Sequence, residues 1–140
     1  MITALLVIVA SVTIGTLAHE LSHAVALRTF SIPHSLAVFP DRGASGSLRM
    51  GLRGRWAMVT YHDVPADLAP WKLRLASLMP LSLAVPPIIL VLTVPGMTAI
   101  DGNLYLTLAA LGWLACAIPS PADFAIFWHP REAMRKASRS

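Results

Sequence analysis

Apolar residues run almost unbroken through three stretches, residues 1–28, 72–94 and 104–128, while polar residues collect between the first two and after the third. In the first stretch Glu20 is the only formally charged side chain before Arg28. A helix rises about 1.5 Å per residue, so each stretch can cross a hydrocarbon core about 30 Å thick with some tilt. The pattern predicts an all-α membrane protein with three transmembrane helices. No Lys or Arg precedes the first run, and the run continues to Arg28, which favours a retained helix over a cleaved signal peptide. Pro80, Pro86 and Pro87 predict a kink in the second helix, and Pro119 with Pro121 a break in the third.

The polar loop, residues 29–71, carries strand-like segments at 35–39, 47–52 and 56–61, separated by Gly43, Gly46 and Arg53-Gly54. They predict a small β-hairpin or sheet between the first and second helices. Without a repeat, low-complexity tract or composition shift, the chain reads as a single domain over 1–140.

Composition narrows the class. Apolar residues make up 56%, charged residues 13%, and the mean hydropathy is +0.65, which excludes an ordinary soluble enzyme and a disordered chain. The one cysteine, Cys116, excludes an intrachain disulfide and a Cys-rich metal site. The net charge of +4 would suggest nucleic acid, but position decides otherwise. Every Lys and Arg lies either between Arg28 and Arg74 or after Pro130. With three spans these two regions share one side, and the positive-inside rule assigns it to the cytoplasm. The expected location is the cell membrane, with the N-terminus outside and the C-terminus cytoplasmic. Nucleic acid is not an expected partner; Arg49, Arg53 and Arg55 are placed to meet anionic lipid headgroups of the bilayer.

The first apolar run contains His19-Glu20-Leu21-Ser22-His23. Helical residues four apart share a face, so His19 and His23 can offer two imidazole nitrogens to one Zn²⁺, and Glu20 beside them can serve as general base toward a water at the metal. An acid inside a membrane span costs about 2.5–3.5 kcal/mol on insertion scales and calls for a partner. The plainer alternative is a helix-terminal cluster at the interface. Zinc hydrolases commonly use three protein ligands, and His34, His62, Asp63, Asp67, Asp101, Asp123 and His129 are the candidates for the third. Depth selects Asp123, about 12 Å of helical rise before Arg131, as His19 lies about 13 Å before Arg28. Its plainer alternative is a carboxyl that snorkels to the interface. The expected metal ligands are therefore His19, His23 and Asp123, with Glu20 catalytic.

With these residues in place, the chain resembles the site-2 protease family of intramembrane zinc metalloproteases. The resemblance rests on His19, Glu20 and His23 in the first helix and on Ser120-Pro121-Ala122-Asp123 in the third, and it spans nearly the whole chain. It implies a core of three transmembrane helices and a membrane-associated β element at the position of residues 35–61. Two features differ from the family pattern: Phe124 stands where Gly usually follows the Asp, and the middle helix reads Ala76 to Ser82 without the family's Gly-Pro and Asn.

The expected function is hydrolysis of peptide bonds in or near transmembrane segments of membrane proteins, with a substrate helix as partner. A strand edge near 56–61 is a candidate for holding the unwound substrate by β-augmentation, and packing of the loop is the equal alternative. Ser82, Ser120 and His62 stand as unranked candidates for transition-state hydrogen bonding. The rival class is a non-catalytic metal-binding membrane scaffold that holds a partner helix. A transporter is disfavoured, since three spans with one polar cluster make a poor conduction path.

Overall fold

The first apolar run contains no proline, and it folds into one uninterrupted helix, α1 (Ile2–Thr29), in a computed structural model that describes residues 1–38, 57–61, 68–93 and 103–137. Thr13, Thr16 and Thr29 donate to the carbonyls of Val9, Val12 and Val25, so these hydroxyls are satisfied without water. The helix ends in a Schellman turn: Ile32 N–H donates to Leu27 O at 2.9 Å and Ser31 N–H to Arg28 O at 3.0 Å. Ser31 takes the left-handed position with φ 57°. The turn brings Ile32 back onto Leu27 in a core completed by Ala26, Leu68, Leu73, Ala76 and Ala137.

Two strands follow, β1 (His34–Val38) and β2 (Ala57–Tyr61), paired antiparallel with Leu36 opposite Val59. Their bounds shift the expected 35–39 and 56–61 by one residue at the ends. The expected strand at 47–52 lies outside the described residues.

The second run changes helix type twice. It forms α2 (Pro70–Leu78), a 3₁₀ segment (Met79–Ala84) and α3 (Val85–Thr93). Pro80 lacks an N–H and cannot continue the α-helical ladder, which accounts for the tighter turn after Leu78. Pro86 and Pro87 fall in the first turn of α3, where N–H groups have no intrahelical partner in any case. A carbonyl that loses its N–H partner to Pro87 is that of Leu83, and the Trp113 indole donates to it at 2.8 Å.

The third run is broken as its prolines predict. The helix α4 (Leu104–Ala117), capped by the Asn103 side chain on Leu106 N–H, stops at Ile118, whose backbone is extended. The helix α5 (Pro121–Trp128) begins three residues later. After His129 the chain forms α6 (Pro130–Ala137), a helix not anticipated from sequence. Its signals are present: Pro130 at the first position, Glu132 in the first turn, Arg135 and Lys136 in the last.

Among the described residues, three helical stretches, Ile2–Thr29, Pro70–Ile89 and Leu104–Trp128, are long and apolar enough to cross a membrane. Leu5, Leu6, Ile14, Leu21, Leu92 and Leu111 are among the large apolar side chains that face outward, an exterior suited to hydrocarbon. α1 and α4 approach through small residues one turn apart. A Cβ on Gly15 would lie 2.9 Å from the Cβ and Sγ of Cys116, and one on Gly112 would lie 3.0 Å from Ser11 Oγ. Ser11 also donates to Ala109 O at 2.6 Å. Close backbone approach of this kind is how helices associate where no water drives them together.

Candidate metal centre

Ser11, Gly15, His19 and His23 succeed one another at intervals of four, so they form one stripe along α1. The two small residues admit α4, and the next two turns present imidazoles to it and to α2. Each imidazole is oriented by a carbonyl that a helix break has released. His19 Nδ1–H donates to Cys116 O at 2.7 Å, and that carbonyl is free because α4 ends at Ala117. His23 Nδ1–H donates to Ala76 O at 2.8 Å; the residue four further on is Pro80, which has no N–H to offer. Ala76 O accepts from Met79 N–H as well, through its second lone pair.

A carbonyl only accepts, so both Nδ1 atoms carry the proton and both Nε2 atoms turn a lone pair inward. The two Nε2 atoms are 3.2 Å apart. Asp123 completes the cluster, with Oδ2 3.4 Å from His19 Nε2 and Oδ1 3.2 Å from His23 Nε2. Its position follows from local structure. Ser120 caps α5, Pro121 occupies the first helical position, and Asp123 closes a capping box: Asp123 N–H donates to Ser120 Oγ at 3.2 Å and Ser120 N–H to Asp123 Oδ2 at 2.7 Å. The proline break therefore both ends α4 and aims the carboxylate.

The spacing fits a metal. Tetrahedral zinc with bonds of about 2.0–2.2 Å sets its donor atoms about 3.3–3.5 Å apart, close to the separations here. Three electron-rich atoms packed this closely repel one another unless a cation lies between them, and two imidazoles with a carboxylate form a donor set that suits zinc. The side chains of His19, His23 and Asp123 are only 12, 10 and 11% exposed. Among the described residues they form the one group of three or more potential ligands that could hold a metal ion.

Glu20 points to the other side of the stripe, where its Oε2 accepts from Val59 N–H at 3.1 Å. That N–H is committed to the carboxylate, so the side of β2 that carries it is turned to α1.

The structure brings together His19, His23 and Asp123 and excludes two other candidates from the group. His34 sits in β1 with its Nδ1–H on Ile32 O, and His129 is exposed at the end of α5. His62, Asp63, Asp67 and Asp101 lie outside the described residues. Of the unranked polar candidates, Ser120 adjoins the cluster through its capping box, Ser82 is exposed on the 3₁₀ segment, and His62 is not described. Sequence reasoning missed the Cys116 and Ala76 carbonyls and the Val59 amide, which are backbone groups without a side-chain signature. It also missed Gly15 and Gly112, although their four-residue spacing from Ser11 and Cys116 was readable.

No protein-family model matches the chain, and no curated protein or solved structure matches it either. What the fold and the cluster define is a helical protein with three potential membrane spans and a buried His-His-Asp group able to hold a metal ion.

Proposed function

We propose that this chain is an intramembrane zinc metalloendopeptidase of the site-2 protease kind, hydrolysing peptide bonds in or near transmembrane segments. The observation that carries the reading is the meeting of His19 Nε2, His23 Nε2 and the Asp123 carboxylate at tetrahedral separations, with Glu20 the next residue to one of them. Those three residues would hold Zn²⁺. When bound, the metal supplies Lewis acidity, polarising a peptide carbonyl and bringing the acidity of water near neutrality. Glu20 takes the proton of the attacking water and returns it to the leaving amine, so that one water is added across the broken C–N bond. A helical substrate must unwind first, because its carbonyls are otherwise internally bonded. Strand β2 runs past Glu20 and is the candidate to hold such a segment by backbone pairing once Val59 N–H leaves the carboxylate.

In this reading the basic regions face the cytoplasm, the N-terminus lies outside, and water and substrate reach the cluster from the cytoplasmic side of the cell membrane. One observation favours the alternative of a non-catalytic metal-binding scaffold: Glu20 is already engaged by a backbone amide. The two readings separate in one experiment. The protein is purified in detergent, metal per chain is measured, and cleavage of a membrane-helix substrate is compared between wild type and Glu20→Gln. Cleavage by wild type and its loss in a metal-loaded variant support the peptidase; a metal-loaded but equally inert pair supports the scaffold.

A further inference from the structure

A second polar feature lies away from the cluster. Between the start of α2 and the junction of α5 with α6 is an open cleft of about 500 Å³, lined by Arg74, Arg131 and Arg135 together with Trp128, His129 and Glu132 among others. Among the described residues of the lining, the Arg74 and Arg131 guanidiniums outnumber the single carboxylate of Glu132. Its level along the fold is set by the spans: Pro70 opens the second and Trp128 closes the third, which puts the cleft at the shared end of both. For helices that cross a bilayer, this is the height of the headgroups.

We propose that this cleft binds the phosphate group of an anionic lipid headgroup. Guanidinium forks match phosphate oxygens in geometry and hold their charge at every relevant pH. Arg74 is steadied for the role, its guanidinium carbon 6.0 Å from the centre of the Phe127 ring. Trp128, 67% exposed, sets an amphipathic ring at the same level, where indoles favour the boundary between tails and headgroups. Basic pockets between helix ends recruit anionic lipids by the same combination of charge and depth. The first turn of α6 opens on the cleft at Pro130 and Arg131, adding the positive end of a helix dipole to the side-chain charge. The inference is independent of the peptidase reading and uses none of the cluster's residues.

Native mass spectrometry of the whole chain, released from micelles containing equal phosphatidylglycerol and phosphatidylcholine, tests it. Wild type retains phosphatidylglycerol in preference. The Arg74→Gln/Arg131→Gln double variant, with helicity checked by circular dichroism, loses about tenfold in that retention, equivalent to about 1.4 kcal/mol. The Arg28→Gln/Lys136→Gln control removes the same charge from exposed positions outside the cleft and retains lipid like wild type. Inorganic phosphate distinguishes the source of the group: failure to displace the lipid assigns the cleft to headgroups, while displacement with saturable phosphate binding lost in the double variant keeps the site but assigns it to soluble phosphate. Equal retention of the two lipids by wild type, or equal loss in the variant and the control, overturns the proposal.

Discussion

Glu20 and Val59, thirty-nine residues apart in the chain, are joined by a 3.1 Å hydrogen bond from the strand's backbone amide to the helix carboxylate. The bond links the residue proposed as general base to the strand proposed to hold the substrate. Val59→Pro deletes the amide that Glu20 accepts from, and proline is tolerated where a strand's N–H points away from the neighbouring strand. Hydrogen bonds to charged groups contribute about 1.5–3 kcal/mol, so cleavage is expected to fall about ten- to a hundredfold with metal content unchanged. Val59→Ala, which retains the amide, should cleave like wild type. Equal cleavage by the proline variant would remove β2 from the mechanism.

Pro80 acts through the carbonyl it leaves unpaired. Pro80→Ala restores an N–H that competes with His23 for Ala76 O and favours continued α-helix over the 3₁₀ segment. Loss of such orienting partners typically weakens metal binding about 10- to 100-fold, and a competition titration with a chelating dye should register that drop. An unchanged affinity would mean that packing alone orients the imidazole.

Gly15 sets the distance between α1 and α4. In Gly15→Ala the new methyl meets Cys116 Cβ and Sγ at 2.9 Å, and since Cβ cannot swing away, the helices must separate. Overpacking of this kind costs about 1–3 kcal/mol. Lower thermal stability together with reduced metal content is expected, because Cys116 also supplies the carbonyl that holds His19. A stable variant with full metal content would show that the contact is not what positions the cluster.

Ser31 occupies a left-handed position that glycine takes without strain. Ser31→Gly should stabilise the protein by about 0.5–1 kcal/mol in detergent unfolding, with no change in metal binding. A destabilised variant would indicate that the Ser31 side chain contributes more than its backbone strain costs.

The sequence carries the three spans through sustained hydropathy, and the breaks through Pro80, Pro119 and Pro121, whose missing N–H groups act wherever they stand. His19 and His23 were legible because a four-residue interval is itself a statement about a helix face. Asp123 was chosen by depth, and the three residues do converge in the fold. The chemistry of that convergence was only half readable: which imidazole nitrogen faces inward depends on the Cys116 and Ala76 carbonyls, and any residue type supplies a carbonyl. The hydrogen bond between Glu20 and Val59 was hidden for the same reason. The helix at Pro130–Ala137 did have capping and charge signals, but its short length and basic character read as a tail.

The most direct measurement is metal content per chain, by mass spectrometry of protein purified in detergent, for wild type and Asp123→Asn side by side. One zinc ion per wild-type chain, stripped by a chelator and restored when zinc is added back after the chelator is removed, and a clear loss of occupancy in the variant are expected. A wild-type chain that takes up no metal, or an Asp123→Asn chain that holds it equally well, would contradict the claim that two imidazoles of α1 and a carboxylate of α5 share one ion.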